Sequence, residues 1–73
     1  MNELRRLREK SGMTQKQLAD AAGVSQGAIS QSETGATHLT PATLEQVIRA
    51  LNLSRSERQK LIILWFHEVS GGL

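Results

Sequence analysis

Gln26, Gly27, Ser30, Gln31 and Thr34 fall on one arc when their segment is wound at about 100° per residue, and Ala28, Ile29 and Ser32 fall opposite. The outward arc therefore carries short hydroxyls and two primary amides. A glutamine amide holds a donor beside an acceptor and can pair bidentately with N6 and N7 of adenine, while serine and threonine hydroxyls bond several base edges. Gly27 would let a backbone approach such a surface closely. Residues 26 to 34 contain no Lys or Arg, so the arginine pairing with guanine is not open to them. A·T pairs opposite Gln26 and Gln31 are the resulting expectation. The same arc would suit any helix that faces water, so the neighbouring residues must decide.

Those neighbours spell out helices from end to end, with no period-2 alternation to suggest a strand. The first helix, about Asn2 to Lys10, aligns Leu4 and Leu7 and is stopped at Ser11-Gly12. Thr14-x-x-Gln17 is a capping box that opens a second helix, about Thr14 to Ala22, with Leu18, Ala19 and Ala22 inward. Gly23-Val24-Ser25 then supplies a tight turn, an anchor and an N-cap in that order. The third helix spans Gln26 to Thr34 and ends at Gly35. Thr40 caps a fourth, Pro41 to Leu51, in which Leu44, Val47, Ile48 and Leu51 repeat at i, i+3, i+4 and i+7. Ser54-x-x-Glu57 is a second capping box and opens a fifth helix, Arg55 to Val69, expected to unravel through Ser70-Gly71-Gly72. The reading is an all-α chain of five helices forming one domain over residues 1 to 73.

Composition excludes more than it selects. Nine Lys and Arg against seven Asp and Glu leave a formal charge of +2, too small to demonstrate a polyanionic partner. With no cysteine, no histidines paired at ligand spacing and no phosphate-cradling glycine loop, an enzyme is not expected, nor is a metal, a cofactor or a small-molecule ligand. Leu61 to Phe66 is the longest apolar run, far short of the roughly 20 residues that span a bilayer, and the first residues are charged. A cytoplasmic protein without membrane contact is the expectation.

Two short helices joined by a three-residue turn containing glycine have the helix-turn-helix layout, whose second helix lies in the major groove. Gly12-Met13-Thr14-Gln15-x-x-Leu18-Ala19, Gly23-Val24-Ser25 and Ile29-Ser30-x-x-Glu33-x-Gly35 together resemble the XRE-like family of phage repressors and Cro-type regulators. The likeness covers about Leu4 to Leu53. It implies a lambda-repressor-like fold and double-stranded DNA binding as a small bacterial or phage-encoded repressor. It also implies base contacts from Gln26, Gly27, Ser30 and Gln31, a phosphate contact from Gln15, and an ion pair between Arg8 and Glu33. Lys16, Thr37 and His38 are the further candidates for phosphates. Two positions depart from the family. Ser32 stands where a large side chain is usual, with Trp65 as the expected filler, and Ala36-Thr37-His38 replaces the usual cations. Low non-specific affinity should follow.

On a wheel the apolar residues of the fifth helix cover roughly 260°, wider than one core requires. Leu61, Leu64 and Trp65 are assigned to the core, and Ile62, Phe66 and Val69 to a homodimer contact, with Ile63 unassigned. A dimer would place two recognition helices about 34 Å apart on a near-palindromic operator. The rival reading is an antitoxin or adaptor that holds a protein through the fifth helix.

Overall fold

Every helix but the first begins where a side chain satisfies a backbone N–H group that the first turn leaves unpaired. The computed structural model describes residues 1 to 71; Gly72 and Leu73, the end of the expected tail, lie outside the described residues. Helix α1 spans Asn2–Lys10, α2 Gln15–Ala22, α3 Gln26–Thr34, α4 Pro41–Leu51 and α5 Arg55–Val69, and no strand occurs among the described residues. Thr14 stands outside α2 in extended conformation, and its hydroxyl accepts from Gln17 N at 3.0 Å. Gln17 closes the box by accepting from Thr14 N at 2.9 Å. The hydroxyls of Ser25, Thr40 and Ser54 likewise cap α3, α4 and α5, with a reciprocal box only at Ser54, and Pro41 occupies the first turn of α4, where its missing N–H is not needed.

The core is aliphatic. Leu4 and Leu7 of α1, Leu18 of α2, Ile29 of α3, Val47 of α4 and Leu61 of α5 are its largest fully buried side chains. The helix α2 is central, packed on both α3 and α4, while α1 crosses α3 and carries α5. At the α1–α5 contact Leu61 is flanked by two ion pairs, Lys10 with Glu57 at 2.5 Å and Lys60 with Glu3 at 3.9 Å.

The structure corrects one assignment on α5. Leu64, expected in the core, is exposed at 36 %. Because α5 packs chiefly on α1, the stripe it buries is narrow and is filled by Leu61, with Trp65 half-buried beside it. Trp65 donates Nε1 to the Leu39 carbonyl at 2.7 Å and lines a groove between α4 and α5. The carbonyl of the buried Ser32 instead receives the amino group of Met1. Ile62, Ile63, Phe66 and Val69 are exposed, so they do not fill one small core.

Truncating Leu61 to Ala should therefore cost about 2 to 5 kcal/mol, whereas Leu64→Ala should cost only about 1 kcal/mol. Urea denaturation of the two variants measures the difference.

Candidate nucleic-acid interface

The turn between α2 and α3 depends on one backbone conformation. Gly23 ends α2 at φ +71°, a left-handed geometry that L side chains disfavour, and Val24 N then donates back to the Ala19 carbonyl at 3.0 Å. Val24 packs against the core, Ser25 caps α3, and Ile29 is wholly buried beneath it. These three positions fix which side of α3 faces out.

A buried polar node holds the far end of α3 to α1. Arg8 donates Nε to Glu33 Oε2 at 2.5 Å and Nη2 to Oε1 at 3.1 Å, a two-point fork, and its Nη1 reaches the Met13 carbonyl at 2.8 Å. Side chains of the pair are 10 % and 3 % exposed, so the charges sit away from water. Gln15, at the start of α2, adds a bond from Nε2 to Glu33 Oε1 at 3.1 Å. Burial alone would raise the Glu33 pKa, but hydrogen bonds from Arg8 and Gln15 outweigh it and hold the carboxyl below its ordinary 4.5. Three helices thus meet on one carboxylate.

Outside this node, Gln26, Gly27 and Gln31 are exposed and Ser30 is half-buried on the outward side of α3, with the exposed Thr34 bonding Oγ1 to the Gln31 carbonyl. A Cβ built on Gly27 would meet nothing within 4 Å. The fold therefore does not require glycine there. Thr37 and His38 are exposed in the loop after α3, and Lys16 is exposed on α2 with Nζ 3.7 Å from Asp20. Gln15 is half-buried, with one amide N–H already committed to Glu33.

Between Lys16 and Arg49 the chain has no Lys or Arg. The only charge on α3 is Glu33, which Arg8 neutralises. Arg5 and Arg6 of α1 lie against Glu9 and Glu3. The exposed face of α3 is consequently polar and nearly uncharged.

Sequence reasoning did not find the third donor to Glu33, nor the Met13 carbonyl that completes Arg8. Gln15 is visible only as a helix-start residue, and its partner lies 18 residues away. Lys10 with Glu57 is a second omission. Glu57 is legible as the capping-box partner of Ser54, but its ion pair joins residues 47 apart in the chain. Hydrogen bonds from Lys10 and from the Ser54 backbone hold the Glu57 carboxyl down to about 2.

Two short helices, a glycine turn and a second helix that is locked from behind and polar in front define a helix-turn-helix protein. The comparisons agree with that class. The chain belongs to the helix-turn-helix domain family, which matches it over residues 2–61. It is also 43% identical over 54 residues to a competence pilus inhibition repressor of Acinetobacter baylyi, across 74% of this chain and 49% of that protein. The chain thus spans about half the length of this curated relative. No solved structure matches it significantly. Among the described residues no helix is long and apolar enough to cross a membrane.

Breaking the node from one side leaves a buried charge, so Arg8→Met should cost about 3 to 5 kcal/mol, and adding Glu33→Met should recover part of that loss. Thermal unfolding of the single and double variants tests this. Protonation should act in the same direction. Glu33 and Glu57 have lowered pKa values in the folded chain, so their contribution is full above the ordinary value of 4.5 and is lost as pH falls below it, for Glu57 toward about 2. The urea midpoint should drop from pH 5 to pH 3, and Glu33→Gln should flatten that dependence.

Proposed function

We propose that the chain is a sequence-specific double-stranded DNA-binding transcriptional regulator, a Cro-like repressor that reads the major groove with α3. The observation that carries this reading is the outward face of α3. Two amides, a hydroxyl and a glycine with open space above it stand on a helix held rigidly by the Arg8–Glu33 pair. Gln26 and Gln31 pair with adenines, Ser30 bonds a neighbouring base edge, and Gly27 lets the helix backbone approach the bases. The repressor name of the Acinetobacter baylyi relative and the family match support the same direction.

Phosphate contacts come from Gln15, Lys16, Thr37 and His38. Gln15 reaches a phosphate with the amide N–H that Glu33 leaves open, so the polar node places a reader and a clamp together. Only Lys16 among the four carries a full charge, so affinity depends weakly on salt. A homodimer through Ile62, Phe66 and Val69 presents two copies of α3 to a near-palindromic operator, doubling the bases read. Action in the cytoplasm, without cofactor, metal or small ligand, completes the proposal. An antitoxin or adaptor role has no observation in its favour on α3, whose polar face a protein-only partner would leave unused.

Selection from a randomised duplex library should enrich a twofold-symmetric site rich in A·T pairs. Gln26→Ala with Gln31→Ala should abolish binding to that site without changing the melting temperature. With one Lys16 from each protomer as the charged contact, the logarithm of affinity should fall with the logarithm of salt at a slope on the order of −2. No enrichment, with weak or absent binding to all duplexes, would overturn the reading. Gly27→Ala separates the site from the fold. It should stabilise α3 by up to about 1 kcal/mol while weakening operator binding.

A further inference from the structure

The helix α5 runs from Arg55 to Val69, so Ile62 is its midpoint, seven residues from either end. At about 100° per residue, Arg55, Arg58, Ile62, Phe66 and Val69 fall within one arc of roughly 80°. That stripe changes character along its length. Its first half carries two guanidinium groups and its second half two bare apolar side chains, Phe66 at 62 % and Val69 at 45 % exposure.

The cations stand at the wrong end for the stability of α5 itself. The first turns of a helix carry a partial positive charge, to which Arg55 and Arg58 add rather than balancing it. Among the described residues neither arginine takes part in an ion pair. Beside them lies the groove between α4 and α5, about 740 Å³, whose apolar lining from Leu44, Ile48, Leu53, Ile62 and Trp65 is bordered by Arg58 and by the mutually paired Glu45 and Arg49. The Phe66 ring, exposed on the same stripe, is the kind of group that a guanidinium at an apolar groove receives.

We propose that α5 pairs antiparallel with α5 of a second copy, with Ile62 on the two-fold axis and Phe66 of each copy seated against Arg58 of the other at the mouth of the α4–α5 groove. The proposal rests on the homodimeric reading above and gives it a register and an orientation. Positions equidistant from Ile62 meet, so Arg58 faces Phe66 and Arg55 faces Val69. The occupant is a copy of this chain because the stripe complements itself only when reversed. Each cationic half then covers an apolar half, and Arg55 lies beside the carbonyls and partial negative charge at the end of the opposite helix. A parallel pair would instead set arginine against arginine.

The chain contains no cysteine, so single introduced thiols report the geometry directly. Under mild oxidation Ile62→Cys should form a covalent dimer. Arg55→Cys and Val69→Cys should each fail, because their symmetry mates lie about 21 Å apart along the helix axis, far beyond disulfide reach. The Arg58→Cys/Phe66→Cys double variant should cross-link. Self-linking of Arg55→Cys, or no linking of Ile62→Cys, overturns the register.

Sedimentation tests the Arg58 contact itself. Phe66→Lys should raise the dimer dissociation constant about tenfold or more, Phe66→Glu by less than about threefold, and Arg58→Glu added to Phe66→Lys should restore pairing. Equal losses from Lys and Glu at Phe66 overturn the contact. All substituted positions are exposed, and circular dichroism of each variant confirms that the fold is retained. Cross-linking is read without DNA, so the pairing can fail while the operator reading stands, and the operator reading can fail while the pairing stands.

Discussion

A charge that is buried must be matched where it lies, and in this chain that requirement falls on Glu33. The carboxylate sits one residue before the end of α3, where water cannot solvate it, and it is satisfied by two helices that precede it in the chain. Arg8 brings a planar fork from α1, and Gln15 an amide from the first turn of α2. Removing Arg8 would leave the Glu33 charge unpaired in a low-dielectric surrounding, and removing Gln15 would take away one of its hydrogen bonds. The orientation of α3 is therefore held at its far end by electrostatics and at its near end by Gly23, Val24 and the Ser25 cap.

That arrangement puts the support of α3 on one side and a free polar face on the other. Everything that holds α3 lies behind it, and everything available to a partner lies in front as neutral donors and acceptors. A surface of amides and hydroxyls gains little from long-range attraction and depends on close, correctly oriented contact. Rigid placement matters more for such a surface than for one rich in arginine, whose long side chains and full charge tolerate small displacements. The nearly uncharged face and the firmly locked helix are two parts of one solution. The glycine at position 27 belongs to the same logic, since nothing inside the molecule demands it.

The helix α5 obeys a different constraint. It is attached to the rest of the molecule by a narrow contact, Leu61 between two ion pairs with Trp65 bonded to the Leu39 carbonyl, and leaves an apolar and cationic stripe uncovered. A helix of 15 residues with so few buried side chains gains much of its local order from its capping box and from Lys10 against Glu57. The domain can thus hold α5 in place while offering most of its surface outward.

Local features were legible in the residues alone. Thr14-x-x-Gln17 and Ser54-x-x-Glu57 are capping boxes in the structure as their spacing predicts, Gly23 turns where a left-handed residue is needed, and Leu4, Leu7, Leu18, Ile29 and Val47 reach the core by helical periodicity. Such features depend on neighbours within four residues, which a sequence displays directly. The tertiary structure decided what depends on distance through space. It chose Glu33 as the partner of Gln15, joined Lys10 to Glu57, brought Trp65 to the Leu39 carbonyl and left Leu64 exposed. A wheel shows that the apolar residues of α5 occupy too wide an arc for one core. Which of them are buried is set by where α1 lies, and that position follows from the packing of all the helices at once.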